Sequence, residues 1–145
     1  MITFHKALYI VHVGDAKNFN ASKHKHIWCF KSTTACWINF MRNVNPGDIL
    51  CFIKQGGVVV GFAQYETYKK RELGPLISLT ITNEELGWTR PGDWDMELHY
   101  KGYLDSKTVM KLKTPNQNSV IHAKYFENRD EIFAEYVQTL QQSIL

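Results

Sequence analysis

The sequence predicts an α+β fold, a mixed and mainly antiparallel barrel-like β-sheet flanked by helices. Three observations lead there. "ALYIVHV" (7–13) reads as a first strand, and "MELHYKGYL" (96–104) alternates at the two-residue period of a strand. "ILCFIK" and "VVVGFAQYETY", separated by "QGG", make a clear hairpin. The chain closes on "NRDEIFAEYVQTLQQSIL", where Ile132, Phe133, Tyr136, Val137 and Leu140 fall on one helical stripe.

The remaining elements follow in order. Gly14 and Asp15 end the first strand, and the polar "AKNFNASKHK" is a connection with room for a short helix. "HIWCF" (26–30) is short, apolar and β-prone. "STTACWINFMRNV" carries a Ser/Thr cap and core-facing Ala35, Trp37, Ile38, Phe40 and Met41, so a helix is expected. "NPGD" (45–48) is a turn. "PLISLTIT" reads as a further strand or edge segment, and "NEELGWTRPGDWD" (83–95) as largely loop. No repeat or linker interrupts residues 1–145, which are read as a single domain.

Hydrophobic residues make up 44% and charged residues 21% of 145, which suits a soluble globular fold. No apolar run approaches the roughly 20 residues that span a bilayer. The N-terminal strand is broken by His5, Lys6 and His12 and lacks a signal-peptide pattern, so an intracellular protein is expected, cytoplasmic or else nuclear, and it is read as a monomer. Cys29, Cys36 and Cys51 cannot all pair, and reduced thiols are the default. The net charge of +3 points only weakly to a polyanionic partner, and the run Lys69-Lys70-Arg71 reads as a solvated face.

Residue patterns offer little to an enzyme. There is no G-x-S-x-G, Walker loop or G-x-G-x-x-G. Strand alternation would separate His24 and His26 from Cys29, leaving no tetrahedral metal set, so neither metal nor cofactor is expected. Glu84, Glu85, Asp93 and Asp95 lie near tryptophans, but nothing fixes a catalytic pair. Cysteine and histidine pairings are equally unspecific.

The tryptophans carry more. Trp88 and Trp94 sit in a Gly/Pro/Asp-rich segment, where an indole N–H needs its own partner. With Trp28 they can either form a cage for a methylated cation or planar base, or serve as core and loop anchors.

The stretch "VHVGDAKNFNASKHKHIWCFKS" resembles the opening of a YTH domain, the methyladenosine-reading branch of the PUA-like superfamily, which also includes EVE domains. The resemblance puts the first cage tryptophan on Trp28 and the base-recognising residue on Asn18. It puts the carbonyl that accepts the methylated amine's hydrogen on Cys29, and His12 and Val13 where the family has a Lys-Ser type pair. "GDILCFIKQGGVVVGFAQYE" is similar to two family strands, and "GWTRPGDW" to the loop supplying the other cage walls, here Trp88 and Trp94. "KTPNQNSVIHAKYFENRDEIFAEYVQTL" resembles the closing polar loop and helix, with a phosphate-contacting position near Lys124.

The resemblance implies a PUA-like fold and a non-enzymatic reader of a modified base, of the N6-methyladenine type. The base is taken from single-stranded or flipped-out nucleic acid, RNA ahead of DNA. Modified-base contacts would come from Trp28, Trp88, Trp94, Asn18, Cys29 and His12, and phosphate contacts from Lys31, Lys124 and Lys23. The alternative is a cage for methyl-lysine or another small ligand, with Asp93 or Asp95 as counter-charge.

Overall fold

The computed structural model describes residues 6–71, 82–88, 94–106, 110–112 and 119–144. β1 (Leu8–His12), β2 (Ile27–Phe30), β3 (Ile49–Lys54), β4 (Val58–Lys70), β5 (Met96–Asp105) and β6 (Val120–His122) join in one sheet. Their order is β2-β5-β4-β3-β1-β6. Only β1 and β3 pair in parallel; every other pairing among the described strands is antiparallel. The segment "PLISLTIT" lies almost wholly outside the described residues.

Alternation divides the strands between two cores. Tyr9, Val11, Leu50 and Phe52 face one side, with α1 (Lys17–Ser22) and α2 (Ala35–Asn43) supplying Phe19, Trp37 and Phe40. A short third helix, α3 (Asn83–Leu86), precedes β5, and α4 (Arg129–Ile144) closes the chain. Leu8, Ile10, Ile49, Cys51 and Ile53 face the other side, covered by Ile132 and Tyr136 of α4. Each large side chain buried this way contributes about 1.5–3 kcal/mol. Trp37 stacks on Phe30 with centroids 4.1 Å apart and planes at 17°, as its place on the helix predicts.

Two turns fix the register. In the "NPGD" turn the buried Asp48 carboxylate accepts from the backbone N–H groups of Asn45 (2.8 Å) and Ala7 (3.2 Å). In the β3–β4 turn a side chain on Gly57 would put its Cβ 2.0 Å from the Leu112 carbonyl oxygen, so only glycine fits.

Several elements depart from expectation. Residues Asn83–Leu86 form the helical turn α3 rather than loop. Thr82 Oγ1 accepts from Glu85 N–H and donates to Glu85 Oε1, each at 3.1 Å, so Thr82 is the N-cap of this turn. Thr34 stands at the N-cap of α2 but makes no capping bond. Nearby, Ser32 instead binds Asp95 through its N–H and its hydroxyl. Phe133 is 44% exposed although it continues the apolar stripe of α4, because the side of α4 that meets the second core carries Ile132, Tyr136, Val137 and Leu140. β6 arises in the polar closing segment, where the short β-prone run Val120–His122 pairs with β1. His24 lies in a 3-10 turn and His26 at φ 62°, so the strand alternation assumed for them begins only at Ile27. Among the described residues no helix is long and apolar enough to cross a membrane.

Candidate nucleic-acid interface

The site forms where the β1–α1 loop meets the edge strand β2. The loop bends sharply, with Gly14 at φ 61° and Ala16 at φ 69°, and the Gly14 N–H donates to His12 Nδ1 at 3.2 Å. Asp15 Oδ1 accepts from Lys17 N–H at 3.0 Å, which starts α1. α1 then carries Asn18, Phe19 and Ser22 inward, all buried.

Trp88 lies between the other two indoles. Its ring centroid is 4.8 Å from that of Trp28 and 4.9 Å from that of Trp94, with interplanar angles of 51° and 89°. It is only 6% exposed, and its Nε1–H donates to Ser22 Oγ at 2.8 Å. The partner that a loop tryptophan requires is thus on α1. Trp28 and Trp94 remain half-buried and face a cavity of about 280 Å³. The cavity is lined by these two together with Val13, Gly14, Asp15, Asn18 and Gln55.

Of the sequence-predicted residues, Trp28, Trp94 and Asn18 therefore converge, while Trp88 backs the two indoles instead of lining the cavity. His12 lies one step behind the lining, and burial lowers its pKa. The Cys29 side chain is 1% exposed and turned into a small core with Leu86 and Trp88. Burial pushes its thiol up to about 12, so it does not ionise at neutral pH. Its carbonyl is a separate matter. Tyr100 N–H donates to His26 O at 3.1 Å, and Ser22 Oγ donates to Ile27 O at 3.1 Å. Antiparallel alternation then turns the Cys29 carbonyl, like that of Ile27, to the side of β2 away from β5, where no other described strand pairs.

None of the three expected phosphate-binding lysines lines the cavity. Lys23 pairs with Asp105 at 3.1 Å, Lys124 lies 5.3 Å from the centroid of the Tyr125 ring, and Lys31 is exposed just after β2. Asp95 is held elsewhere. Burial alone would raise its pKa, but the Ser32 hydrogen bonds and the Lys70 charge outweigh that and keep the carboxyl below its usual range. Asp93 lies outside the described residues.

Two contributors carry weak sequence signals. Gln55 reaches the cavity from the β3–β4 turn, which a hairpin pattern alone does not relate to α1. Arg71, read as part of a solvated basic run, is 5% exposed. Its Nη1 donates to Asn83 Oδ1 (2.7 Å) and to the Trp94 carbonyl (3.4 Å), and its backbone N–H donates to Asp95 O (2.8 Å). Its Nε lies 3.4 Å from Glu97 Oε2, while His99 Nε2 meets Glu97 Oε1 at 2.9 Å. Arg71 thus ties the start of α3 and the Trp94 backbone to the sheet. The only local hint was its place at the end of a strand pattern.

No protein-family model and no curated protein sequence matches the chain. Solved structures do. An ASCH protein from Zymomonas mobilis is similar at TM-score 0.52 and 7% identity, covering 88% of this chain and 93% of that one. A point mutant of that ASCH protein gives 0.54 at 6%, covering 88% and 94%. A hypothetical protein from Leishmania major gives 0.53 at 13%, covering 95% and 98%. At these identities the likeness concerns the fold. The chain shares with these structures an α+β fold, in which the described residues form a curled, mainly antiparallel sheet of six strands with helices packed on both faces.

Proposed function

We propose that the protein is a YTH/EVE-type reader that takes a modified base of the N6-methyladenine class from single-stranded or flipped-out nucleic acid, RNA ahead of DNA. It binds the base and does no chemistry on it. The observation that carries this reading is the cavity of about 280 Å³ with Trp28 and Trp94 as aromatic walls and Asn18 in its lining. Indole faces stack a base at about 1–3 kcal/mol each. The Asn18 amide offers both a donor and an acceptor to a base edge, and the Cys29 carbonyl on the side of β2 away from β5 offers an acceptor to a monomethylated amine. A buried methyl group adds only about 0.8 kcal/mol, so preference for the methylated base also depends on keeping water away from the amine.

Titration of short RNA and DNA strands, each with and without N6-methyladenine, tests the proposal across a salt series. The expected result is preferential binding of the methylated strand, with affinity falling steeply as salt rises. Equal binding of methylated and unmethylated strands would sink it.

A second reading has one specific observation behind it: the Asp15 carboxylate lies in the cavity lining with two indoles. That combination also suits a methylated ammonium group held by cation–π attraction. A methyl-lysine peptide that binds with little salt dependence, where methylated strands do not bind, would favour it.

A further inference from the structure

We infer that the β3–β4 turn is the second lip of this site, with Gln55 reading an edge of the bound base and Lys54 and Lys111 contacting the flanking phosphates. The inference rests on the modified-base reading. Gln55 lines the cavity with Asn18, although the two residues come from separate parts of the chain. The turn is stitched to the β1–α1 loop by two backbone bonds, Gln55 N–H to Gly14 O and Val13 N–H to Ile53 O, both 2.8 Å. On its far side Leu112 N–H donates to Gly57 O at 2.7 Å. The backbone carrying Gln55 is therefore held from both sides, while its exposed side chain makes no hydrogen bond to any described residue.

A glutamine amide can donate to N7 of adenine, which leaves the single N–H of a monomethylated N6 amine to the Cys29 carbonyl. Asn18 reads a different ring nitrogen, so the two amides together specify the base and not only its methyl group. Charge supports the same assignment. Lys54 is exposed, and alternation along β3 puts it on the face of Leu50 and Phe52, the face toward α1. The Lys111 side chain reaches the tip of the turn, its Cε 3.9 Å from where a Cβ on Gly56 would stand. Among the described residues no lysine or arginine lines the cavity itself, which leaves base and phosphate to separate parts of the lip.

The test uses an RNA strand with N6-methyladenine and its 7-deaza analogue, in which N7 is replaced by C–H. With the wild-type protein the 7-deaza strand should bind about tenfold more weakly. With Gln55→Met, which keeps the length of the side chain and removes the amide, both strands should bind equally, at that weaker level. Gln55→Ala should agree, and thermal melts of both variants should match the wild type because the side chain is exposed. Lys54→Ala and Lys111→Ala should each lower the salt slope by about one. A 7-deaza penalty that survives Gln55→Met overturns the base contact, and unchanged slopes overturn the phosphate contacts. In either case wild-type preference for the methylated strand still stands. Absence of that preference in the wild type overturns the modified-base reading and this inference together.

Discussion

The Trp88 indole N–H donates to the Ser22 hydroxyl at 2.8 Å, with both residues buried. Ser22 Oγ in turn lies 3.1 Å from the carbonyls of Asn18 and of Ile27, and its single proton serves one of them at a time. One hydroxyl thus joins α1, the edge strand β2 and the central tryptophan. Ser22→Ala leaves the buried indole N–H without its partner and should cost about 1–3 kcal/mol in unfolding free energy. Urea melts measure this, and an unchanged midpoint would mean that the indole has found another acceptor.

The three clustered tryptophans should separate by phenotype. Trp88→Ala removes a side chain packed between two others and should lower stability by about 3–5 kcal/mol. Trp37→Ala should do the same by exposing the face of Phe30. Trp28→Ala and Trp94→Ala remove cavity walls, and each should weaken binding of the methylated strand by about 1–3 kcal/mol. Melts run beside binding curves decide the matter. Trp28 and Trp94 variants that unfold without any selective loss of binding would make those residues structural.

Asn18→Ala should reduce the ratio of methylated to unmethylated affinity, at a cost of about 1–3 kcal/mol for the methylated strand alone. Nonspecific attraction to phosphate should persist. The residue also stands in the first turn of α1, so its melting temperature belongs in the same experiment. An unchanged ratio with a lower melting temperature would assign Asn18 to the helix and not to the ligand.

Arg71→Met takes the guanidinium from Glu97 Oε2 in a site where both side chains are 3% exposed, leaving the carboxylate only its His99 contact. Breaking such a pair from one side costs about 3–5 kcal/mol. Replacing both residues, Arg71→Met with Glu97→Leu, removes the orphaned charge and should recover much of the stability. It should not recover binding, because the contacts from Arg71 to Asn83 and the Trp94 carbonyl remain lost. A double variant that binds the methylated strand like the wild type would show that Trp94 needs no such clamp.

Acid should weaken the fold through two histidines. Burial is the main cause lowering the pKa of His12 and of His122 below the ordinary 6.5, and the Lys124 charge adds to it for His122. In each, the ring Nδ1 accepts a backbone N–H, from Gly14 and from Lys124 respectively, and protonation removes that acceptor. The unfolded chain binds these protons more readily than the folded one, so stability rises with pH across this window. It should be fully present above the unfolded value of 6.5 and fall as pH drops from there toward the folded pKa values. Urea midpoints between about pH 7.5 and 5 should show the decline, and His12→Gln with His122→Gln should flatten it. A slope unaffected by the double variant would place the titration elsewhere.

The strands β1, β2, β3, β4 and β5 and the helices α2 and α4 were legible in the chain itself, because each rests on a local period or a local turn. The "QGG" hairpin and the core face of Trp37 needed nothing beyond neighbours within a few positions. The resemblances around "HIWCF" and "GWTRPGDW" grouped Trp28, Trp94 and Asn18, and these three line one cavity. How the three indoles share their work became visible only in three dimensions, because a sequence spacing does not say which ring is enclosed by the others. Trp88 is enclosed because Ser22, 66 positions away, supplies its hydrogen bond. The same holds for Arg71, whose charge looked solvated until Glu97 and Asn83 met it in space. Gln55 stands in the cavity only because the β3–β4 turn folds back onto Gly14. Period and turn chemistry act over a few residues, whereas burial and the pairing of buried polar groups are fixed by contacts between segments distant in the chain.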